Sequence, residues 1–357
     1  MRLVSPILQR LIYPMLGSLG YFHSHFSCVV EVITYHGVLP RGYKSQDAFL
    51  DNTLVSREAF RSQLRLLKKY YNVIQPVQFR LWLRGEEPLP ERAIMLTCDD
   101  GLLNHVTEML PILLEEHLEC LFFVTGSSLR DTPEILWYTE LYQMLMEAPK
   151  RDKAFLLQGI DIPKLSANLR ERRKAWLELV GCLSRIEEPA RRAFLEEMRA
   201  SLGLPPAWGS RCLDDPLLRI RFQFLQLPEL KQLLDAGMTI GAHTMSHPVL
   251  VEQSGVMARS EIAESRTALE KALGRQVWAI AYPFGDPSSV GSREYELAEE
   301  AGYECAFVNI GGAVRSAAPR FALPRNHVTA EMSLAVYEAH ICGFHHALQS
   351  LFKSRPA

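Results

Sequence analysis

Residues 92–125 read RAIMLTCDDGLLNHVTEMLPILLEEHLECLFFVT, and the fold is decided there. RAIMLTC is a continuous apolar run too short for a helix, which suits a strand covered on both faces. It stops at Asp99-Asp100-Gly101, where the glycine permits a sharp turn. Val106, Leu110, Leu113 and Leu114 then recur at helical spacing, and CLFFVT (120–125) is a second apolar run of strand length. Strand, helix and strand joined by short links form a βαβ unit, so an α/β fold with a parallel sheet is predicted.

The same rhythm extends outward on both sides. VVEVITYH (29–36) is rich in β-branched residues and reads as the first strand. Ser56 then caps a helix in which Phe60, Leu64 and Leu67 recur. Downstream, a helix over 228–235 closed by Gly237 precedes the strand MTIGAH, which ends at His243. A helix from Ala258 to Leu273, the strand VWAIAYP, a helix over 293–301 and the strand YECAFV follow, with FALPRNHV as a short last strand.

Between the two halves the rhythm breaks. Residues 127–220 contain little that reads as strand, and Thr132-Pro133-Glu134 has the form of a helix start with proline in the first turn. From Leu165 to Ile186 the pattern is charged and helical, and a further helix runs through Phe194 and Met198. We read this stretch as a helical insertion, with the basic cluster Arg170–Lys174 on a solvated face. The resulting organisation is an N-terminal helical lead-in at 1–27, a catalytic domain at 28–330 interrupted at 127–220, and a C-terminal helix and tail at 331–357.

Composition narrows the function classes. The 357-residue chain is 48% hydrophobic and 22% charged, enough apolar material for a large core. Its net charge of −2 gives no basic field for nucleic acid. The seven cysteines include no CxxC pair, and Cys98 and Cys120 sit in apolar strands, so they read as reduced, buried residues. No apolar run spans a bilayer: Pro6, Arg10 and Pro14 interrupt the apolar N-terminus, and no export signal is clear. That segment is expected to pack on the domain or lie on a membrane face, and the protein to be cytoplasmic.

The chemistry gathers at strand ends. His36, Asp99-Asp100, His243 and Tyr282-Pro283-Phe284-Gly285 each close a proposed strand, and ligands bind at the carboxyl ends of parallel strands. Asp-Asp-Gly alone is ordinary turn chemistry. His243 and His247 lie four apart and face one cation if a helical turn joins them. With a carboxylate from a neighbouring strand end, they make a two-histidine, one-carboxylate site with open positions. A metal on Asp100, His243 and His247 lowers the pKa of a coordinated water towards ~7 and polarises a carbonyl. Asp99 remains free as general base, and His327 or His36 are candidates to protonate a leaving amine.

TCDDG (97–101), HTMSH (243–247), AYPFG (281–285) and the opening strand ITYHGV together resemble the polysaccharide deacetylase family, which includes chitin and peptidoglycan N-acetylglucosamine deacetylases. The resemblance runs from about Val29 to Val328, with 127–220 unmatched. It implies a distorted (β/α) barrel, a divalent metal of the zinc kind with Co, Ni or Mn as substitutes, and release of acetate from N-acetylhexosamine. Residue by residue it implies Asp99 as base and Asp100, His243 and His247 as ligands. It also implies the Phe284 N–H as an oxyanion donor, with Tyr282 and Pro283 lining the groove.

Two positions depart from the pattern: Cys98 replaces a phenylalanine, and Ala281 stands where many members carry an arginine that orients the base. A partly buried carboxylate needs a partner, so Arg325, in LPRNHV, is expected to reach Asp99 from the last strand. His327 reads equally as a structural histidine, and His36 as pocket wall. The expected substrate is a glycan, glycolipid or lipid-linked sugar of envelope or exopolysaccharide synthesis. A hydrolase of small cyclic or linear amides and a non-catalytic carbohydrate-binding derivative are the competing readings. The oligomeric state is not legible.

Overall fold

The computed structural model describes residues 8–24, 30–45, 47–205, 213–345 and 348. Its centre is a parallel sheet. In chain order the strands are β1 (Val30–Tyr35), β2 (Asn72–Ile74), β3 (Ala93–Cys98), β4 (Leu121–Val124), a separate hairpin of β5 (Phe155–Leu157) and β6 (Ile160–Ile162), then β7 (Thr239–Ala242), β8 (Ala279–Ala281), β9 (Cys305–Phe307) and β10 (Asn326–His327). Spatially they run β10-β1-β3-β4-β7-β8-β9, with β2 beside the first half of β3.

The ring closes through the last strand. Asn326 and His327 pair with Ile33 and Thr34 of β1, while just upstream Leu323 exchanges backbone hydrogen bonds with Ala306 and Val308 at β9. This is the distorted barrel of parallel strands expected from the sequence.

Both faces of the strands are buried, which is why RAIMLTC carries no polar alternation. Ala93, Met95, Phe123, Ala279, Ala281 and Phe307 pack inside the barrel. Ile94, Leu96, Cys98, Phe122, Ile240 and Ile280 face the surrounding helices. Gly241 is required by close approach: a Cβ there would lie 2.6 Å from the Phe123 ring.

The helices follow the sequence signals with local changes. Ser56 Oγ accepts from the Ala59 N–H at the start of the helix Arg57–Tyr70. The helix after β3 opens as a π-turn (His105–Met109) before Leu110–Glu115, because Pro111 has no N–H to offer the preceding turn. Gly274 ends the helix Gly255–Leu273 in the left-handed conformation, at φ 63°.

The stretch between β4 and β7 departs further from expectation. No helix starts at Thr132-Pro133-Glu134: Ile135 forms a β-bridge with Gln223, and the helix begins at Trp137 (Trp137–Glu147). That bridge takes the backbone out of the helical region. Nor is the insertion purely helical, since β5 and β6 form an antiparallel hairpin. The helices Trp137–Glu147, Leu169–Leu183 and Glu188–Ser201 enclose their own core around Leu141, Leu145, Leu179, Phe194 and Met198. The basic cluster is not a solvated face throughout. Arg172 is buried and donates to the carbonyls of Leu145, Met146 and Ala148 at the end of the Trp137–Glu147 helix, and Arg173 forms an ion pair with Asp47.

The lead-in packs on the C-terminal helix. Tyr13 and Phe22 meet Val336 and Ala339 of Leu334–Ile341, and the Tyr13 hydroxyl lies 3.0 Å from His345 Nδ1. Cys98, Cys120, Cys305 and Cys342 are buried free thiols and Cys182 is an exposed one, while Cys28 and Cys212 lie outside the described residues. No helix among the described residues is long and apolar enough to cross a membrane.

Candidate active site

Parallel strands deliver their carboxyl ends to one rim, so His36, Asp99, Asp100 and His243 arrive together. Asp99 continues the β3 ladder by one residue, its N–H on the Tyr35 carbonyl at 2.9 Å. The chain then turns sharply, with Asp100 at φ 79° and Gly101 at φ 70°. A non-glycine residue in the left-handed region is uncommon and marks a position held by its surroundings. The two carboxylates consequently point to different partners.

Asp100 faces the histidines. Its Oδ1 lies 3.6 Å from His243 Nε2 and 3.3 Å from His247 Nε2, and all three side chains are buried. Among the described residues this is the group of metal-ligating side chains that converges, with its ligand atoms within 4.8 Å of one another. His243 Nδ1 is 2.7 Å from the Ala281 carbonyl, which fixes Nδ1 as the protonated nitrogen and leaves the Nε2 lone pair for a cation. Burial alone would raise the Asp100 carboxyl, but the two imidazoles bring it well below the usual range. Burial lowers His247 despite Asp100 beside it, which favours a neutral, ligating ring. A carboxylate and two imidazoles, buried and convergent, fit a divalent metal cation.

Asp99 faces Arg325. Two parallel hydrogen bonds, each 2.7 Å, join the guanidinium to Asp99 Oδ1 and Oδ2. Arg325 is fully buried; Thr34 and Thr97 hydroxyls accept from it at 3.1 and 3.4 Å, and the Phe123 and Phe307 rings flank it. Burial pushes the Asp99 carboxyl up, the Arg325 charge outweighs it, and the pKa falls to about 2. The pairing keeps Asp99 ionised and aimed while reducing its basicity.

The remaining candidates divide. His36 and His327 lie side by side, ring centroids 4.5 Å apart and planes tilted by 42°, each with a buried ring nitrogen that has no protein partner (Nδ1 and Nε2 respectively). Burial, with His36 adding to it, lowers His327 to about 3, so it is neutral at ordinary pH. Phe284 sits at φ 61° beside His247, the ring centroids 5.0 Å apart, and Pro283 is buried next to it. Tyr282 does not line the groove. Side chains alternate along β8, so Tyr282 points into the sheet–helix core, its hydroxyl donating to the carbonyls of Phe321 and Glu294.

The histidine loop also differs from expectation: no helical turn joins His243 to His247. Thr244 (φ 61°) and His247 (φ 56°) are left-handed, and the Met245 and Ser246 N–H groups both donate to Glu261 Oε2 at 2.8 Å. Glu261 was not singled out from the sequence. Its signal was a carboxylate on the apolar face of a helix, in step with Ala258, Ile262, Ser265 and Leu269. Tyr138 also borders the site, its ring 5.5 Å from His247 and 6.0 Å from Phe284.

The resemblance to polysaccharide deacetylases is borne out. Residues 225–306, which carry HTMSH and AYPFG, match the polysaccharide deacetylase family model. TCDDG lies outside that stretch and is brought alongside it by the fold. A polysaccharide deacetylase-like protein of Bacillus subtilis, YxkH, is 26% identical over 113 residues; the aligned part covers 32% of this chain and 39% of that protein. The fold is similar to that of the Streptococcus pyogenes deacetylase PplD, solved in complex with acetate (TM-score 0.56, 17% identity, 88% of this chain and 99% of that one). It is also similar to IcaB from Ammonifex degensii (0.54, 17%, 88% and 98%) and to a polysaccharide deacetylase from Bacillus cereus (0.54, 16%, 87% and 68%).

Proposed function

Taking as premise a chain that carries a polysaccharide deacetylase segment on a polysaccharide deacetylase barrel, we propose that it is a metal-dependent hydrolase. In this reading it removes N-acetyl groups from N-acetylhexosamine units of a glycan, glycolipid or lipid-linked sugar in envelope or exopolysaccharide synthesis. The observation that carries the reading is the division of labour between adjacent carboxylates: Asp100 turns to the imidazoles and Asp99 to Arg325.

Asp100, His243 and His247 would hold the cation, zinc by preference and Co, Ni or Mn as substitutes. Such an ion supplies Lewis acidity, lowering the pKa of water from 15.7 towards ~7 and polarising the acetamide carbonyl. Asp99 takes the proton of the attacking water, and Arg325 holds its carboxylate ionised and in one orientation. The Phe284 N–H donates to no other group among the described residues and in this reading would stabilise the oxyanion. His36, lying beside the neutral His327, is the candidate to protonate the departing amine, a role that the neutral His327 does not fill.

We place the enzyme in the cytoplasm, at a membrane face. Buried free thiols suit a reducing compartment. Leu11, Met15 and Leu19 are 65%, 52% and 74% exposed at i, i+4, i+8 spacing, and residues 1–30 contain Arg2 and Arg10 but no acid.

The test is metal content together with acetate release from N-acetylglucosamine oligomers and lipid-linked N-acetylhexosamine. Asp99→Asn should retain the metal and lose turnover; His243→Ala should lose both. Turnover persisting in Asp99→Asn would remove Asp99 as the base, and acetate release without bound metal would overturn the reading as a whole.

A further inference from the structure

The loop that carries the second histidine holds an expensive conformation. Left-handed backbone costs a non-glycine residue roughly 1–2 kcal/mol, and both Thr244 and His247 adopt it. A cavity of about 340 Å³, lined in part by Trp137, Arg191 and Ser246, lies against the loop at Ser246, where side-chain packing alone does not hold it in place. Its polar groups account for what does.

Each carbonyl from Thr244 to His247 accepts from the segment that follows β4. Thr244 O takes the Gly126 N–H at 2.9 Å, and Met245 O takes the Ser127 N–H at 3.2 Å. Ser246 O and Oγ receive Arg191 Nη2 at 3.4 and 3.2 Å. His247 O receives Trp137 Nε1 at 3.1 Å. On the other side, Glu261 accepts from the Met245 and Ser246 N–H groups and from Ser246 Oγ, and the His247 N–H closes on Thr244 Oγ1. Trp137 and Arg191 brace one another, the guanidinium 4.8 Å above the indole, and both are buried.

We propose that the insertion is a working part of the metal centre: Trp137 and Arg191 are positioning residues that, opposite Glu261, fix the His243–His247 loop for cation binding. The proposal rests on the metal-dependent reading above. The two residues belong to different helices of the insertion, Trp137–Glu147 and Glu188–Ser201, and both reach this loop. Without them Ser246 and His247 keep their ligand chemistry but lose the contacts that offset the left-handed backbone. His247 Nε2 is then no longer held 3.3 Å from Asp100.

The test is a zinc titration of metal-stripped protein against a competing chelator, with thermal unfolding of each apo variant alongside. Trp137→Phe keeps an aromatic ring and removes the indole N–H; Arg191→Met keeps the aliphatic stem. Each should weaken zinc binding about 10-fold, the lower end of what partners behind metal ligands contribute. The control is Arg199→Met, which breaks an ion pair between the same two helices (Arg199 to Glu140, 2.5 Å) without touching the loop. It should lower the unfolding temperature and leave zinc affinity unchanged. Equal affinity in Trp137→Phe and wild type overturns the proposal, as does equal weakening in Arg199→Met. If Arg191→Met fails to fold, Trp137→Phe carries the test alone. Wild-type protein that binds none of zinc, Co, Ni and Mn refutes the metal-dependent reading itself, and this is read before any variant is made.

Discussion

Replacing Arg325 by methionine isolates the interaction on which the base depends. The guanidinium makes two 2.7 Å hydrogen bonds to a carboxylate that is only 3% exposed, inside a ring of strands. Hydrogen bonds to charged groups contribute about 1.5–3 kcal/mol each, and removing one member of a buried pair costs about 3–5 kcal/mol because the other charge is stranded. Arg325→Met should therefore lose about 3–5 kcal/mol in urea unfolding, a fall of roughly 4–7 °C in Tm for a chain of this size. Turnover should fall as well, by about 10²–10⁴-fold if Asp99 is the base, since the carboxylate loses both its orientation and its guaranteed ionisation. Adding Asp99→Asn removes the stranded charge. The double variant should then regain about 2 kcal/mol over Arg325→Met while remaining inactive. Single-variant losses that add to within ~0.5 kcal/mol would refute the coupling. Unchanged kcat/KM in Arg325→Met would refute the role of Arg325 in holding the base.

Two further outcomes can be checked independently of the site. Glu304 is partly buried, which would raise its carboxyl, but hydrogen bonds from Arg80 and Arg84 bring it down to about 2. A depressed carboxylate stabilises the fold above its unfolded pKa and loses that contribution as pH falls. The stability gap between wild type and Glu304→Gln, measured by urea unfolding, should therefore close between about pH 4.5 and 2; a gap constant over that range would be inconsistent with the pairing. On the membrane side, Leu11→Ser/Met15→Ser/Leu19→Ser should reduce co-sedimentation with phosphatidylglycerol vesicles and leave the unfolding temperature nearly unchanged, because all three side chains are exposed. Equal sedimentation of wild type and variant would dismiss the membrane face.

What the sequence made legible was whatever a short window determines. RAIMLTC announces a strand buried on both faces through its unbroken apolarity, and HTMSH announces a paired-histidine site through spacing. Arg325 could be matched to Asp99 across 226 residues because a buried carboxylate requires a partner and few strand-end cations were available. Tyr282 went wrong for a local reason: its motif stands at a strand end, but β8 alternates, and the register sends the ring outward to the carbonyls of Phe321 and Glu294. The expected start at Thr132-Pro133-Glu134 failed for a non-local one, since Ile135 pairs with Gln223 far along the chain and β pairing overrides a local start signal.

The support around the histidine loop lay beyond reach for a stronger reason. Trp137, Arg191 and Glu261 act on it from three helices, 110, 55 and 15 residues away from the groups they hold. Nothing in their neighbourhoods distinguishes an indole or guanidinium that completes a distant loop from one that packs. The contacts are also made to carbonyls and N–H groups, which every residue has, so the loop's own side chains carry no trace of them. A motif therefore shows which side chains can bind a cation, while the accuracy with which they do so depends on backbone partners that no motif contains. This asymmetry is why a stretch with little likeness to the expected pattern, residues 127–220, can govern the geometry of the stretch that resembles it most.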